Sequence, residues 1–326
     1  MSLTCWEKIS FVLLGLFGLR ILWRISVLVW KKLIGPNFGF GIDPKTQGKW
    51  AVITGATSGI GKAYAEQLAK KGLDIVLVSR SLSKLEEVAK EIKERYGVQV
   101  RIVDADLTEG QAVYAKIAKA TEELEIGIVV NNAGASYNHP ELFTNVSEES
   151  IAQILQLNVA SMTGVARALL PQMFERKKGI LINISSATAV MPSPYLTVYA
   201  ASKCYVIKLS EDLAAEAAPY GVTVQCIIPG PVATKMSKIT KPTWMAPTPE
   251  KYVKHTLKTI GLELCTTGYL PHGLLVASVN ALRYICEKGT LWLVCKTMCN
   301  IRKRALKKKE KVVEKITNEE TSVTTK

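Results

Sequence analysis

A glycine-rich turn between a short apolar strand and a helix constrains this chain more than any other feature. WAVIT is typical of a buried strand, TGATSGIG follows it at residues 54–61, and KAYAEQLAKKG has helical periodicity. Gly55 permits a tight turn, and Gly59 and Gly61 let the backbone and a helix N-terminus approach a pyrophosphate. The stretch therefore predicts a dinucleotide site where the first strand ends.

Strands and helices continue to alternate after this turn. Further strands are predicted in DIVLVSR, VQVRIVDADL, IGIVVNNAG, GILINISS and TVQCIIPG, with long helical stretches between them. Because parallel strands need crossover connections, this order predicts an α/β fold with a doubly wound, Rossmann-type parallel sheet. We expect a single catalytic domain over residues 49–268.

Apolar and basic segments flank the predicted domain. The stretch ISFVLLGLFGLRILWRISVLVW fits the length of a bilayer span, although Arg20 and Arg24 interrupt it. Residues 1–34 are therefore expected to form an uncleaved membrane anchor that either spans the bilayer or lies in its interface. Lys31 and Lys32 favour a cytosolic position for the C-terminal side of this anchor, and residues 35–48 form a Gly- and Pro-rich linker.

The C-terminal part contains a second apolar region. Residues 269–300 predict a helical pair that either packs on the domain or forms another membrane contact, and the basic tail 301–326 is expected to be disordered beyond about residue 310. The net charge of +14 is concentrated at the two ends, which fits an anionic membrane surface better than nucleic acid.

Seven cysteines without a CxxC pair indicate reduced thiols facing the cytosol. Cys295 and Cys299 lie on an apolar, helix-like stretch without a second ligand pair, so no metal site is predicted. His139, His255 and His272 receive no catalytic assignment. The oligomeric state is not fixed by the sequence, and a homodimer is one option.

The end of the second strand indicates which dinucleotide is bound. An Asp or Glu there would bond the adenosine ribose of NAD, whereas this sequence has Ser79 and Arg80. No carboxylate stands there to repel the 2′-phosphate of NADP(H), and Arg80 can pair with that phosphate. We therefore favour NADP(H) binding over the alternative that Arg80 is only a solvated cation at the end of the strand. Asp106 after the third strand either accepts from the adenine amino group or caps the next helix. NNAG, at residues 131–134, is expected to brace the turn and contact the adenosine half.

VYAASK, at residues 198–203, places Tyr199 and Lys203 one turn apart on one helix face. A free tyrosine has a pKa of about 10, too high for ready proton exchange near neutral pH, and a neighbouring cation lowers it. The spacing alone also fits two ordinary residues of a surface helix.

Taken together, these motifs resemble the short-chain dehydrogenase/reductase family over about residues 49–235. Asn158, Ser186, the Tyr199–Lys203 pair and PGPVAT at 229–234 follow the glycine turn and NNAG in the order and spacing of that family. GKWAVITGATSGIGKAYAEQLAKKGL, NNAGASYNHPELF, MFERKKGILINISS and TTGYLPHGL are similar to its branch of 17-beta-hydroxysteroid dehydrogenases types 3 and 12. Type 12 is a very-long-chain 3-oxoacyl-CoA reductase.

The resemblance implies the site and its roles. Tyr199 and Ser186 would bind the substrate oxygen, and Tyr199 would protonate it. Lys203 would lower the pKa of Tyr199 and form a hydrogen bond with the nicotinamide ribose. Asn158 would position a water molecule. The expected cofactor-binding residues are Gly55, Thr57, Ser58, Gly59, Ile60, Gly61, Ser79, Arg80, Asp106, Asn132, Ala133, Gly134, Tyr199, Lys203, Pro229, Gly230, Val232 and Thr234.

The resemblance also implies the reaction. We expect an NADPH-dependent reductase of a lipid carbonyl at the endoplasmic reticulum membrane, facing the cytosol, which acts on very-long-chain 3-oxoacyl-CoA in fatty-acid elongation. A 17-ketosteroid reductase and a non-catalytic membrane-associated scaffold are the alternatives. The segment 231–260 would form the substrate lid, in which Met236, Trp244 and Met245 provide an apolar face for an acyl chain or a steroid unless they pack in the core.

Overall fold

The computed structural model describes residues 4–30 and 34–324. Seven strands form one parallel sheet, and the predicted α/β class and single domain are confirmed. The strands are β1 (Trp50–Thr54), β2 (Asp74–Ser79), β3 (Val100–Asp104), β4 (Ile126–Asn131), β5 (Gly179–Ile184), β6 (Val222–Ile227) and β7 (Cys265–Thr266). The helices of eight or more residues are α1 (Cys5–Val29), α2 (Gly59–Lys70), α3 (Leu82–Tyr96), α4 (Gln111–Thr121), α5 (Glu148–Leu155), α6 (Ser161–Arg176), α7 (Thr197–Ala217), α8 (Pro249–Thr256), α9 (Leu270–Ile285) and α10 (Glu287–Thr324).

The strand order is β3-β2-β1-β4-β5-β6-β7. The chain therefore moves outward from β1 to β3 and then returns to the other side of β1 with β4. This reversal creates a crevice at the carboxyl ends of β1 and β4, which is where open parallel sheets bind ligands. The glycine turn follows β1 and NNAG begins at the last residue of β4, so the topology brings these two motifs together.

Both faces of the sheet are covered, and successive strand residues enter different clusters. Ala51 and Ile53 pack in a cluster with residues of α2, α3 and α8, whereas Trp50 and Val52 pack with residues of α4 and α6. All five residues of β1 are buried. A strand that is covered on both faces has a continuous apolar pattern, which is why WAVIT lacks a polar alternate position.

The segments around the domain differ in part from the sequence-based expectations. The linker is not free, since Ile42 N–H donates to Ile260 O at 2.9 Å. The helix α10 runs to Thr324, and Lys and Glu, which are frequent in its second half, have high helix propensity. The expected disorder of the tail beyond about residue 310 stays a prediction. β7 was not predicted, because a two-residue strand leaves no periodicity to recognise.

The predicted anchor region contains a 25-residue helix, α1, with many exposed apolar side chains. Within residues 4–30 and 34–324, no helix combines the length and apolar character needed to cross a bilayer. Lys31 and Lys32, which carried the orientation prediction, lie outside the described residues.

Candidate active site

The predicted Tyr–Lys pair lies in the first two turns of α7. The helix begins beside the β4–α5 loop, where Val198 N–H donates to the hydroxyl of Tyr137 at 3.0 Å. Lys203 is 4% exposed, and its Nζ donates to Ile184 O at 2.9 Å. The same nitrogen lies 5.9 Å from the ring centroid of Tyr199. Tyr199 itself is only half-buried, so a substrate can reach it.

Ser186 lies two residues beyond the end of β5, and its hydroxyl is near enough to Tyr199 to favour the ionised form of the phenol. It also accepts bonds from the N–H and the hydroxyl of Thr188, at 3.2 and 2.9 Å. Ser186 therefore caps a turn and also lies near Tyr199, the predicted proton donor. The neighbouring Ser185 instead donates to the Lys203 carbonyl at 2.8 Å, which ties α7 to β5.

The ionisation of the pair differs from the expected direction. Burial raises the pKa of Tyr199, with the hydrogen bond from Ser186 opposing that rise, whereas Lys203 was expected to lower it. Burial also lowers the pKa of Lys203 to about 8. The reason is that the apolar surroundings disfavour both charged forms. Tyr199 is thus held as a neutral phenol, the form that can donate a proton.

Asn158 occupies a single π-helical turn, Gln156–Ala160, between α5 and α6. Its amide nitrogen donates to Ala135 O at 3.0 Å and to Ser202 Oγ at 2.9 Å, and its Oδ1 accepts from Ala135 N at 2.8 Å. Both amide hydrogens are therefore engaged, so within this side chain only Oδ1 retains capacity for the predicted water. Such π turns are frequent at functional sites because they redirect one side chain.

The glycine turn has the shape that a pyrophosphate requires. Gly55 and Gly59 adopt left-handed φ values of +64° and +58°. A Cβ on Gly61 would collide with the carbonyl of Gly55 and the side-chain nitrogen of Asn132. The N-terminus of α2 is consequently open to close approach, and these residues fit a dinucleotide.

NNAG braces this turn, as the sequence predicted. Asn132 Nδ2 donates to the carbonyls of Thr54 and Gly55 at 3.0 and 3.3 Å. Thr54 Oγ1 accepts from the N–H groups of Asn132 and Ala133, both at 3.0 Å. A Cβ on Gly134 would come within 2.8 Å of Asn158 Oδ1. Thr54 was missed because a threonine at the end of an apolar strand gives no signal of its own.

The predicted adenosine end lies at the ends of β2 and β3. Ser79 Oγ is 3.3 Å from Thr57 Oγ1, and Arg80 Nη1 is 3.8 Å from Asp106 Oδ2. Asp106 accepts from the N–H and the hydroxyl of Thr108, and these bonds hold the pKa of its carboxyl below the ordinary value. Asp106 therefore caps a turn and not the next helix, since α4 begins after Gly110.

The PGPVAT segment closes the site from the β6 side. Pro229 O accepts from Ala187 N at 2.8 Å, and the Thr234 side chain lies against Gly59. The side chain of Val232 packs in the core, and that of Ile60 lies against the same cluster. Because both side chains are used in packing, only the backbone groups of Val232 and Ile60 would be available to a dinucleotide.

His272 is a residue that the sequence did not assign to the site. Its ring is fully buried; Nδ1 accepts from Gly230 N–H at 3.1 Å, and Nε2 lies 3.0 Å from Pro231 O and Met245 O. Burial lowers its pKa, so the ring is neutral with its hydrogen on Nε2. His272 thereby joins α9, the PGPVAT loop and the lid. No spacing rule indicated this, because the three partners are backbone groups.

Replacing His272 with leucine is expected to destabilise the protein by at least about 3 kcal/mol and to weaken dinucleotide binding. The variant leaves the Gly230 N–H and the Pro231 and Met245 carbonyls without partners, at about 1–3 kcal/mol for each buried group. Urea unfolding and a cofactor titration measure both effects. His255→Leu is the matched control, because His255 is exposed on α8. Equal stability of the two variants would contradict the assignment.

Comparisons with known proteins agree with this geometry. The family described as short chain dehydrogenase matches residues 49–243. A very-long-chain 3-oxoacyl-CoA reductase from Anas platyrhynchos is 44% identical over 301 residues, covering 91% of this chain and 92% of that protein. The Homo sapiens reductase of the same name is 42% identical and covers 81% of this chain and 82% of its own.

One similar solved structure contains a bound nicotinamide cofactor. The short-chain dehydrogenase from Sphingobium yanoikuyae in complex with NADPH has a TM-score of 0.64 and 30% identity, and the match covers 73% of this chain and 95% of that one. Since the family match extends over more than half of the sequence and the catalytic geometry lies within it, the chain belongs to the short chain dehydrogenase family of oxidoreductases.

Proposed function

We propose that the protein reduces the 3-oxo group of very-long-chain acyl-CoA to a 3-hydroxy group in fatty-acid elongation, with NADPH as reductant. The observation that carries this proposal is the similarity to reductases of that name along 91% of the chain, in a protein whose Ser186, Tyr199 and Lys203 share one site. The chain covers 92% of that relative, so no large part of the relative lacks a counterpart here.

The residues of the site divide the work of carbonyl reduction. When bound, the nicotinamide supplies the hydride. Ser186 and Tyr199 bind the carbonyl oxygen, and Tyr199 gives it a proton as negative charge develops. Lys203, whose Nζ lies 5.9 Å from the tyrosine ring centroid, stabilises the phenolate left behind. Gly55, Gly59, Gly61 and the Asn132 brace would hold the pyrophosphate.

The choice of NADPH over NADH rests on the end of β2. Arg80 is exposed and has only one ion-pair partner in the described chain, Asp106 at 3.8 Å, with no acid at the ribose position. Arg80→Gln is expected to lower the preference for NADPH, as the ratio of kcat/KM values, about tenfold to a hundredfold. The matched control is Arg95→Gln on α3, which should keep the wild-type ratio. If Arg80→Gln kept the wild-type ratio of kcat/KM with NADPH to kcat/KM with NADH, a residue other than Arg80 would have to select the cofactor.

The substrate class is tested by a panel at fixed NADPH. Purified protein should oxidise NADPH with a long-chain 3-oxoacyl-CoA and far less with a 17-ketosteroid. Oxidation with the steroid alone would favour the ketosteroid reductase. Oxidation with neither, together with full cellular function of Tyr199→Phe, would favour the non-catalytic scaffold.

We also propose that the protein is held at the endoplasmic reticulum membrane through α1, with the catalytic domain in the cytosol. Exposed apolar side chains on α1, including Phe11, Leu14, Phe17 and Trp23, support a lipid environment for this helix. The cysteines whose side chains the structure describes are all free thiols, as a reducing compartment permits. Carbonate extraction of microsomes and protease accessibility test the attachment and the orientation.

A further inference from the structure

The tip of the lid is an exposed loop with anchored ends. Ala233 N–H donates to Pro247 O at 3.0 Å, which closes the loop between β6 and α8. On the far side, Tyr269 Oη donates to Trp244 O at 3.0 Å. Between these bonds the backbone carries Lys235, Met236, Lys238 and Lys241, all exposed. Both ends of the loop are therefore held by hydrogen bonds, and the side chains between them are exposed to solvent.

The charge of this loop is unbalanced. Residues 231–249 contain three lysines and no Asp or Glu. Lys238 donates from Nζ to the backbone oxygen of Asn138 at 2.6 Å, and neither Lys235 nor Lys241 forms an ion pair in the described part of the chain. Two uncompensated ammonium groups on a single loop create a local attraction for anions.

The bond from Lys238 also places the tip beside the catalytic helix. Asn138 follows Tyr137, whose hydroxyl accepts from Val198 N–H at the start of α7. Tyr199 is the next residue along that helix. An anion held by the tip is consequently one loop away from the start of α7, which carries Tyr199.

Trp244 and Met236 complete the chemistry of the tip. Their side chains are 66% and 52% exposed, so the alternative of core packing does not hold for these two residues. An exposed indole on a backbone that is fixed by Tyr269 offers a flat surface on which a nucleobase can stack. A phosphorylated adenosine can be bound by cations, which pair with its phosphates, together with an aromatic ring, which stacks on its adenine.

We propose that Lys235 and Lys241 bind the phosphates of the coenzyme A moiety and that Trp244 stacks on its adenine. The inference rests on the proposed function and names the part of the protein that distinguishes an acyl-CoA from a steroid. The acyl chain then enters the site past Met236. A steroid has no phosphates and gains nothing from the two lysines.

The test compares two thioesters that carry the same 3-oxo-octadecanoyl chain, one of coenzyme A and one of pantetheine, which lacks the phosphates and the adenine. We expect the wild type to favour the coenzyme A thioester in kcat/KM at saturating NADPH. Lys235→Gln/Lys241→Gln should lower that preference about tenfold, and Lys235→Glu/Lys241→Glu should lower it further. High salt should lower it in the wild type as well.

Lys254→Gln is the matched control, since Lys254 is exposed on the adjacent helix α8 and should leave the preference at the wild-type value. An unchanged preference in both double variants would overturn the proposal. A rise in KM for NADPH with both thioesters would assign the lysines to the cofactor and would also overturn it. If the proposed function itself were wrong, the wild type would reduce neither thioester, and this result is distinct from an unchanged preference.

Discussion

Tyr199→Phe is expected to reduce turnover by about two to four orders of magnitude, the range that a positioned general acid contributes. The substitution removes only the hydroxyl, whose neighbour in the site is the side chain of Ser186. Burial raises the pKa of Tyr199, so the wild-type residue is a neutral phenol that can donate. The fold and NADPH affinity should be retained, which calorimetry and cofactor titration can check.

The matched control for this variant is Tyr205→Phe on the same helix. The Tyr205 hydroxyl lies 2.7 Å from Thr163 Oγ1 on the surface, away from the catalytic pair. This variant should keep wild-type turnover. If Tyr199→Phe retained more than about a tenth of wild-type activity, another group would have to protonate the substrate oxygen.

Lys203→Met is expected to lower activity at least about a hundredfold while making the protein more stable at pH 7. Burial lowers the pKa of Lys203 from 10.5 to about 8, which corresponds to about 3 kcal/mol of unfavourable free energy at neutral pH. The substitution also removes the hydrogen bond from Lys203 Nζ to Ile184 O, and this loss offsets about 1 kcal/mol of the gain in stability. The net gain should be about 2 kcal/mol. A residue that lowers stability yet is required for turnover would have a catalytic reason to be there.

The sign of the pH dependence follows from the same values. Between pH 8 and 10.5 the unfolded chain keeps the lysine proton that the folded protein has lost, so this group makes wild-type stability rise with pH. The stability advantage of Lys203→Met should therefore shrink between pH 8 and pH 10.5. Urea unfolding of both proteins at pH 7 and pH 10 measures it. An advantage that did not change with pH would show that Lys203 is not buried as a cation.

The sheet and the cofactor turn could be predicted from the sequence because each has a local signature. WAVIT is apolar throughout since both faces of β1 are covered, and TGATSGIG needs glycines where a Cβ would collide with neighbouring backbone. The relation of Tyr199 to Lys203 is also local, as the four-residue spacing of a helix fixes it. Ser186 was found only through its spacing in a known family.

Features that depend on distant backbone groups could not be predicted in this way. His272 bonds Gly230, Pro231 and Met245, which lie far from it in sequence. The direction of the Tyr199 pKa was also missed, because it depends on burial by several elements more than on the nearby lysine. A charge four residues away can be recognised in a sequence, whereas a low-dielectric environment exists only after folding.

The fate of the hydride in a single product tests the proposed carbonyl reduction most directly. The protein is incubated with a long-chain 3-oxoacyl-CoA and NADPH that carries deuterium at both C4 positions, and the product is examined by mass spectrometry. We expect a 3-hydroxyacyl-CoA with deuterium at C3 from the wild type and almost none from Tyr199→Phe. A wild-type protein that forms no deuterated product, or a Tyr199→Phe variant that forms as much as the wild type, would contradict the proposed reaction.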